Sequence, residues 1–452
     1  MAIHVAKYYI IFSLFAGLIL CIFPKNVSAQ SCGILKETIN ELVLPKLGTY
    51  SLWDLVNGLE NMDESFHDVL MLNERDVILA GEQKNRLLVR PYIVKMNRRG
   101  RVLWSWMDKN QLGLSRPISI KQLVAKKDGF LAVGQIYKDK LPHAIWVGHF
   151  NENGKKTKEH IFAEKSRQLT YAGLTKSPDK KGWLLGVTEN HISKEETLNR
   201  PHAKFILLDQ NFKRKLSRSF LPGPANRIFA VEKYKTKANE MFYIAVGEIN
   251  DGYDRSAGLV LRLDEQANIV WQKTYPRGEA LRFRDVAITE DQGVIVVGEA
   301  DPIGEQMPLA AVAMKLSTLN GDEIWQRYYK REDMSYSVQD VFTVPDNRSF
   351  LLLHGETDKS SDIQPHARVI MLNPRGQIMG RAVSYTAGKE VTPHVMKMGK
   401  SERLIIAGRT TKDVSDEDDA NKRKKLTKQG WFIVGEAIGL YEDPCIPKER
   451  KF

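Results

Sequence analysis

The chain has 452 residues, of which 42% are hydrophobic and 27% are charged, and its formal net charge is +12. These values are typical of a globular protein with a large buried core, and they exclude a largely disordered chain. The basic excess favours acidic partners such as anionic glycans, although it also serves solubility. Because the basic residues are spread along the chain and form no single patch, no nucleic-acid partner is expected.

The first 29 residues have the pattern of an export signal. Lys7 supplies positive charge, residues 8–23 are almost wholly apolar, and Val27-Ser28-Ala29 fits the small-x-small cleavage rule. Cleavage before Gln30 would lower the net charge from +12 to +10, because two lysines and no acid leave with the signal. An uncleaved membrane anchor is the alternative, disfavoured because the apolar run is short for a bilayer. We therefore expect an exported protein, periplasmic or secreted, with no transmembrane segment after cleavage.

The mature chain would keep two cysteines, Cys32 and Cys445, which lie at its opposite ends. Disulfides persist in exported proteins, so these two residues are predicted to form a bridge; two unrelated thiols are the alternative. Residues 30–47 form a lead-in in which apolar residues recur at helical spacing, which predicts a short helix. Residues 441–452 are expected to form a C-terminal tail.

A short apolar run that ends in glycine, usually followed by glutamate, occurs seven times at intervals of 51 to 61 residues. A period near fifty built from short strands predicts a radial array of sheets. The seven glycines are Gly81, Gly134, Gly186, Gly247, Gly298, Gly355 and Gly408.

The fifth repeat shows how one unit is built. Its four predicted strands are residues 284–289, 294–298, 308–316 and 323–329, joined by turns rich in glycine, asparagine and aspartate. Such a unit is one four-stranded antiparallel meander. Tryptophans recur in the fourth strand, and we expect them to pack between adjacent units.

First strands are predicted to begin near Phe66, Ile120, Leu169, Asn226, Phe283, Val338 and Thr392. The seventh repeat lacks a fourth strand, whereas residues 49–55, with Trp53, match the fourth-strand pattern upstream of the first repeat. The sequence therefore predicts an all-β fold, a seven-bladed β-propeller of four-stranded antiparallel blades over residues 48–440. An N-terminal strand in the last blade would close the ring and leave no open sheet edge.

This pattern of apolar strand, Asp or Asn turn with glycine, and tryptophan resembles bacterial β-propeller repeats of the tryptophan-motif, quinoprotein-like type. That group includes quinone-dependent dehydrogenases and outer-membrane assembly scaffolds, so the resemblance implies architecture and not one activity. Two departures disfavour a quinone-dependent dehydrogenase. Those enzymes have eight blades, and alcohol-oxidising members often carry an adjacent Cys-Cys pair that this chain lacks.

First strands line the central channel of a propeller, so polar residues near their starts can converge on one ligand. Carboxylates in this set could instead surround a cation, and a water-filled polar channel is the third alternative. The candidate ligand-binding residues are His67, Asp68, Lys121, Arg227, Arg284, Asp285, Asp340 and His394. No nucleophile elbow, phosphate-binding loop or CxxC pair occurs, so no catalytic residue, metal or cofactor is predicted.

The function expected from the sequence is that of a non-catalytic binding or scaffold module for a protein or an anionic glycan, working as a monomer. The alternative is an enzyme acting on a carbohydrate-like substrate at the channel mouth, with Asp68, Asp285 and Asp340 as candidate carboxylates. A quinone-dependent oxidoreductase is a further alternative.

Overall fold

The computed structural model describes residues 63–436 except for 73–75, 85–88, 98–100, 109–115, 178–180, 192–199, 221–224, 237–239, 251–254, 277, 279, 302–307, 331–333, 358–363, 386–389, 400–402 and 415–424. All described residues belong to one compact unit, residues 38–443. The export signal, the lead-in, the strand at 49–55, Cys32, Cys445 and the C-terminal tail lie outside the described residues.

The described residues form antiparallel meanders of consecutive strands and contain no helix. The first three sheets comprise β1 (Asp63–Met71), β2 (Asp76–Lys84), β3 (Val89–Asn97), β4 (Val102–Met107); β5 (Ile118–Lys126), β6 (Gly129–Lys138), β7 (Leu141–Phe150), β8 (Lys156–Phe162); and β9 (Arg167–Lys176), β10 (Gly182–His191), β11 (His202–Asp209), β12 (Arg214–Ser219). The next groups comprise β13 (Ala225–Lys235), β14 (Met241–Asn250), β15 (Ser256–Leu263), β16 (Ile269–Tyr275); β17 (Ala280–Ile288), β18 (Gly293–Asp301), β19 (Ala310–Ser317), β20 (Glu323–Tyr329); β21 (Ser335–Thr343), β22 (Ser349–Glu356), β23 (His366–Leu372), β24 (Ile378–Tyr385); and β25 (Glu390–Met398), β26 (Arg403–Val414), β27 (Lys425–Glu436).

The strand pattern predicted for the fifth repeat is confirmed, with β17 to β20 at the predicted places. This group and the one before it share a single parallel bridge, between Ser256 and Ala280. The last group has three strands among the residues that the structure describes, and β27 is its outer strand. Antiparallel four-stranded sheets whose first strands border one cavity make this fold a β-propeller.

The core lies between consecutive sheets. Buried second and third strands supply most of it, which explains why their sequences are continuously apolar. One core cluster joins the two ends of the array, because Phe66 and Leu79 of the first sheet pack with Ile405 and Phe432 of the last. Hydrogen bonds cross the same boundary, one from the backbone N–H of Lys428 to Asp63 (2.9 Å).

A β-bulge interrupts each first strand at the equivalent place and turns one extra side chain toward the centre. The seven bulged residues are His67, Lys121, Ala172, Phe229, Arg284, Gln339 and His394. The bulge also explains several of the repeated glycines. A Cβ on Gly81, Gly247 or Gly298 would lie only 1.8 to 1.9 Å from a backbone oxygen of the adjacent first strand.

Candidate functional site

A central cavity of about 520 Å³ is lined by the first strand of every sheet. Seven of the eight residues proposed from the sequence border it: His67, Asp68, Lys121, Arg284, Asp285, Asp340 and His394. Arg227 is not among the lining residues. It precedes the bulged Phe229 by two positions on β13, and its side chain is 55% exposed.

Two imidazoles meet at one side of the cavity, where the first sheet packs on the last. The rings of His67 and His394 lie 4.7 Å apart between centroids. Lys121 Nζ donates to His67 Nε2 (3.4 Å), and Ser65 Oγ shares a hydrogen bond with His394 Nε2 (3.1 Å). Burial and the nearby Lys121 charge lower the pKa of His67 to about 4. Burial also lowers the pKa of His394 well below its usual range, so both rings are neutral near pH 7 and offer hydrogen bonds without charge.

Glu82, which follows the repeated Gly81, is the carboxylate of this group, and its Oε2 lies 3.9 Å from His67 Nε2. Burial acts to raise the pKa of Glu82, but contact with His67 and the charge of Lys121 outweigh burial and lower it to about 2. Burial conversely lowers the pKa of Lys121, with Glu82 opposing the shift. The Lys121 charge is thus already balanced by a protein carboxylate.

Three aspartates, each directly after a bulged residue, connect one sheet to the next. Each side chain accepts a hydrogen bond from the backbone N–H of the following first strand: Leu123 to Asp68 (2.6 Å), Val341 to Asp285 (3.0 Å) and Met396 to Asp340 (2.6 Å). These carboxylates therefore hold the array together, whether or not they also meet a ligand.

Asp285 and Asp340 are also hydrogen-bonded to each other. Burial and the adjacent Asp340 raise the pKa of Asp285 well above its usual range. Lys397 lines the same part of the cavity, and the negative charge of Asp340, with smaller effects of Asp68 and Asp285, raises the pKa of its ammonium. Burial raises the pKa of Asp68 to about 6.

A chain of ion pairs crosses the fourth and fifth sheets beside the cavity mouth. Arg227 Nη1 and Arg282 Nε each donate to Glu248, at 3.0 Å to different carboxylate oxygens. Arg282 Nη1 lies 3.6 Å from Glu299 Oε1, and Arg284 Nη2 donates to the same oxygen at 2.5 Å. The glutamates that follow two of the repeated glycines thus fix three arginines in place.

Sequence reasoning did not select Phe229, Glu232 or Lys397, all of which line the cavity. Glu232 and Lys397 lie three residues after a bulged position, so they face the same way as the residue that directly follows the bulge. The bulge changes the strand's alternation, and a pattern of strict alternation across it assigns these side chains to the wrong face.

In the described part of the chain, no group of three or more His, Cys, Asp or Glu side chains is placed to hold a metal ion. The third strands of different sheets carry His143, His202 and His366, which occur in separate sheets. Within the described ranges, no helix is long and apolar enough to cross a membrane.

Comparisons with known proteins give fold-level similarity alone. No protein-family model matches the chain, and no curated protein matches it. Among solved structures it is similar to the β-propeller domain of the Trilobed protease from Pyrococcus furiosus (11% identity, TM-score 0.42, 86% of this chain and 99% of that one). It is also similar to prolyl oligopeptidase B from Galerina marginata (9%, 0.43, 82% and 52%) and Drosophila semaphorin 2a (7%, 0.40, 77% and 73%). At these identities and scores none of the three assigns a function.

Proposed function

We propose that this protein is an exported, non-catalytic binding module that takes the end of a glycan into the mouth of its central cavity. One observation carries the proposal: every first strand turns residues into a single polar cavity of about 520 Å³. A concave site with a few convergent polar groups and an aromatic wall is typical of small-ligand recognition. Phe229 and Phe342 supply the aromatic surface.

Seven blades in a closed ring are part of the same proposal. The seven equivalent bulges support the count, and the core formed by Phe66, Leu79, Ile405 and Phe432 supports closure. The fourth strand of the last blade would come from residues 49–55, and a Cys32–Cys445 bridge would secure the closure. Mass spectrometry of non-reduced peptides tests the bridge, and N-terminal sequencing of the exported protein tests cleavage before Gln30.

Hydrolysis of a glycosidic bond receives less support than binding. Glycosidases hold their two carboxyl groups about 5 Å or more apart, with the bond between them. Asp285 and Asp340 are instead hydrogen-bonded to each other, and each accepts a backbone N–H from the next sheet. Their arrangement serves the fold and leaves no gap for a substrate between them.

Isothermal titration with a panel of oligosaccharides tests the binding proposal. We expect Gln339→Trp, which places an indole in the cavity, to abolish binding that the wild type shows. Lys215→Trp on the exposed outer strand β12 is the matched control and should bind normally. Turnover of any oligosaccharide, or the absorbance of a bound chromophore in protein from its native source, would contradict the non-catalytic assignment.

A protein partner is a second candidate, favoured by a different surface. Outer strands β4, β16 and β20 expose Leu103 (47%), Val270 (50%) and Ile324 (57%). Exposed apolar side chains on sheet edges are typical of strand-mediated association. If the partner binds there, aspartate at these three positions should remove a native complex from size-exclusion profiles, whereas Gln339→Trp should leave it intact.

A further inference from the structure

We infer that the cavity mouth holds the carboxylate of an acidic sugar on the guanidinium groups of Arg227 and Arg284, with the sugar ring against Phe229. This inference rests on the proposed glycan-binding function and names the ligand class. It also gives a place in the site to Arg227, which does not line the cavity itself.

The ion-pair chain presents its positive charges to solvent and hides its negative ones. The side chains of Arg227, Arg282 and Arg284 are 55%, 31% and 39% exposed. Those of Glu248 and Glu299 are only 9% and 8% exposed. A ligand that approaches the mouth therefore meets guanidinium groups first, although the chain is close to neutral as a whole.

The three arginines have different roles in this chain. Arg282 engages Glu248, Glu299 and Asp301 through Nε, Nη1 and Nη2, so it acts as a brace. Among the described residues, Arg227 forms its ion pair through Nη1 alone, and Arg284 forms its ion pair through Nη2 alone. A guanidinium has five N–H donors, so Arg227 and Arg284 keep donors for an incoming anion.

Fixed guanidinium groups suit a planar carboxylate. Glu248 and Glu299 hold the arginine side chains before any ligand arrives, so less rotamer entropy is lost on binding. Arginine and a carboxylate can form two parallel N–H···O hydrogen bonds, which are stronger than neutral ones. The buried glutamates thus prepare the site and do not compete with the ligand at the surface.

Phe229 makes this an acidic-sugar site and not a site for a bare anion. The bulge of β13 turns its ring toward the cavity, and Arg284 Cζ lies 4.9 Å from the ring centroid. A pyranose has apolar C–H faces that can pack on an aromatic ring while its carboxylate reaches the guanidinium that lies over the same ring. Neutral imidazoles at His67 and His394, which also line the cavity, offer partners for hydroxyl groups.

Calorimetric titration with a uronic-acid trisaccharide, its carboxyl-reduced neutral counterpart and a sulfated neutral trisaccharide tests the inference. We expect the uronate to bind at least tenfold more tightly than the reduced sugar, because hydrogen bonds between charged groups are stronger than those between neutral groups. Tighter binding of the sulfated sugar than of the uronate would overturn the carboxylate assignment. Equal binding of uronate and reduced sugar would overturn the inference and leave the proposed function standing.

Arg227→Gln is the informative variant, because Glu248 keeps its hydrogen bond from Arg282 and the fold should be unaffected. It should weaken uronate binding about tenfold and leave reduced-sugar binding unchanged. Arg284→Gln should act similarly, with its unfolding curve measured alongside because Glu299 loses its shortest partner. Arg218→Gln on outer strand β12 is the control and should change nothing. Unaltered uronate binding in Arg227→Gln and Arg284→Gln would overturn the inference, and failure of the wild type to bind any sugar would overturn both proposals.

Discussion

Trp325 lies against Gly376 across the boundary between the fifth and sixth sheets. A Cβ on Gly376 would come within 2.7 Å of the indole, and the glycine has a φ of +76°. The indole N–H donates to the carbonyl of Pro374 in the same turn (2.9 Å). The expectation that fourth-strand tryptophans pack between units is thereby confirmed, and Trp104 with Gly154 and Trp271 with Gly321 repeat the contact.

Where a fourth strand lacks the tryptophan, the left-handed position in the following turn holds a residue larger than glycine. Lys158 takes the tryptophan's position on β8, and the following turn places Phe212 at a φ of +62°, stacked on Trp183 at 5.3 Å between centroids. On β12 the position holds Leu216, and the following turn has Ala267 at a φ of +58°. The combined volume of the two positions, and not either residue alone, is what the boundary between sheets fixes.

Gly376→Ala should destabilise the protein by about 3 kcal/mol, because it adds left-handed backbone strain to overlap with the indole. In a Trp325→Leu background, which copies the natural Leu216 and Ala267 combination, the same change should cost about 1 kcal/mol. Urea unfolding of the four members of this double-mutant cycle measures the coupling. An equal cost in both backgrounds would show that the indole does not set the size of the turn residue.

A second prediction concerns the repeated glycines. Six of them pair with a residue adjacent to the bulge of a first strand, and one does not. Gly298→Ala places a Cβ 1.8 Å from the carbonyl oxygen of Arg282 and should cost more than about 3 kcal/mol. Gly355 pairs with Tyr336, three residues before the bulged Gln339. A Cβ on Gly355 would have only side-chain atoms as its nearest neighbours, at 2.9 Å or more. Gly355→Ala should therefore cost about 1–2 kcal/mol, and thermal unfolding that ranks the variants in the opposite order contradicts the bulge explanation.

The sequence was sufficient for the unit and its period, since apolar runs and Asn, Asp and Gly turns are local signals. It could not reveal the bulges, because an extra residue in one strand is defined only by the strand opposite it. Seven of the eight candidate residues line the cavity because the repeat aligned the first strands correctly. The sequence did not identify Lys397, because its position in the cavity depends on the bulge at His394. The hydrogen bond between Asp285 and Asp340 depends on how two sheets pack, and the residue spacing within one strand does not reveal that packing.

Asp285 and Asp340 should respond differently to substitution by asparagine. In Asp285→Asn the amide NH2 can donate a hydrogen bond to Asp340, and the amide oxygen can still accept one from Val341 N. The change should cost less than about 1 kcal/mol. Asp340→Asn removes the carboxylate that most stabilises the Lys397 ammonium and should cost about 3 kcal/mol. Chemical denaturation at pH 7 measures both variants, and equal losses of stability would contradict the assignment of Asp340 as the main partner of Lys397.

Glu64 lies at the junction of the first and last sheets, and its raised pKa should make the stability of the protein depend on pH. Glu64 is 6% exposed, and its carboxyl group accepts a hydrogen bond from Gln83 Nε2 (2.6 Å). Burial raises its pKa to about 7, against a smaller lowering by Gln83 and by the backbone N–H of Gly430 in the last sheet. The folded protein thus binds a proton more tightly than the unfolded chain, whose glutamate has the ordinary pKa of 4.5.

The direction of the pH dependence follows from the difference between the folded and unfolded pKa values of Glu64. The stability that the protonated Glu64 provides is complete below pH 4.5 and is lost as the pH rises toward 7, by about 3 kcal/mol in all. Glu64→Gln keeps a neutral side chain at every pH. The variant should therefore match the wild type at pH 4 and exceed it by about 2–3 kcal/mol at pH 8. Urea midpoints at pH 4, 6 and 8 measure the difference, with Glu290→Gln on the exposed surface as the control. A difference between Glu64→Gln and the wild type that is the same at all three pH values would mean that Glu64 is not protonated in the folded protein, and that the first and last sheets bury less of it than their contacts indicate.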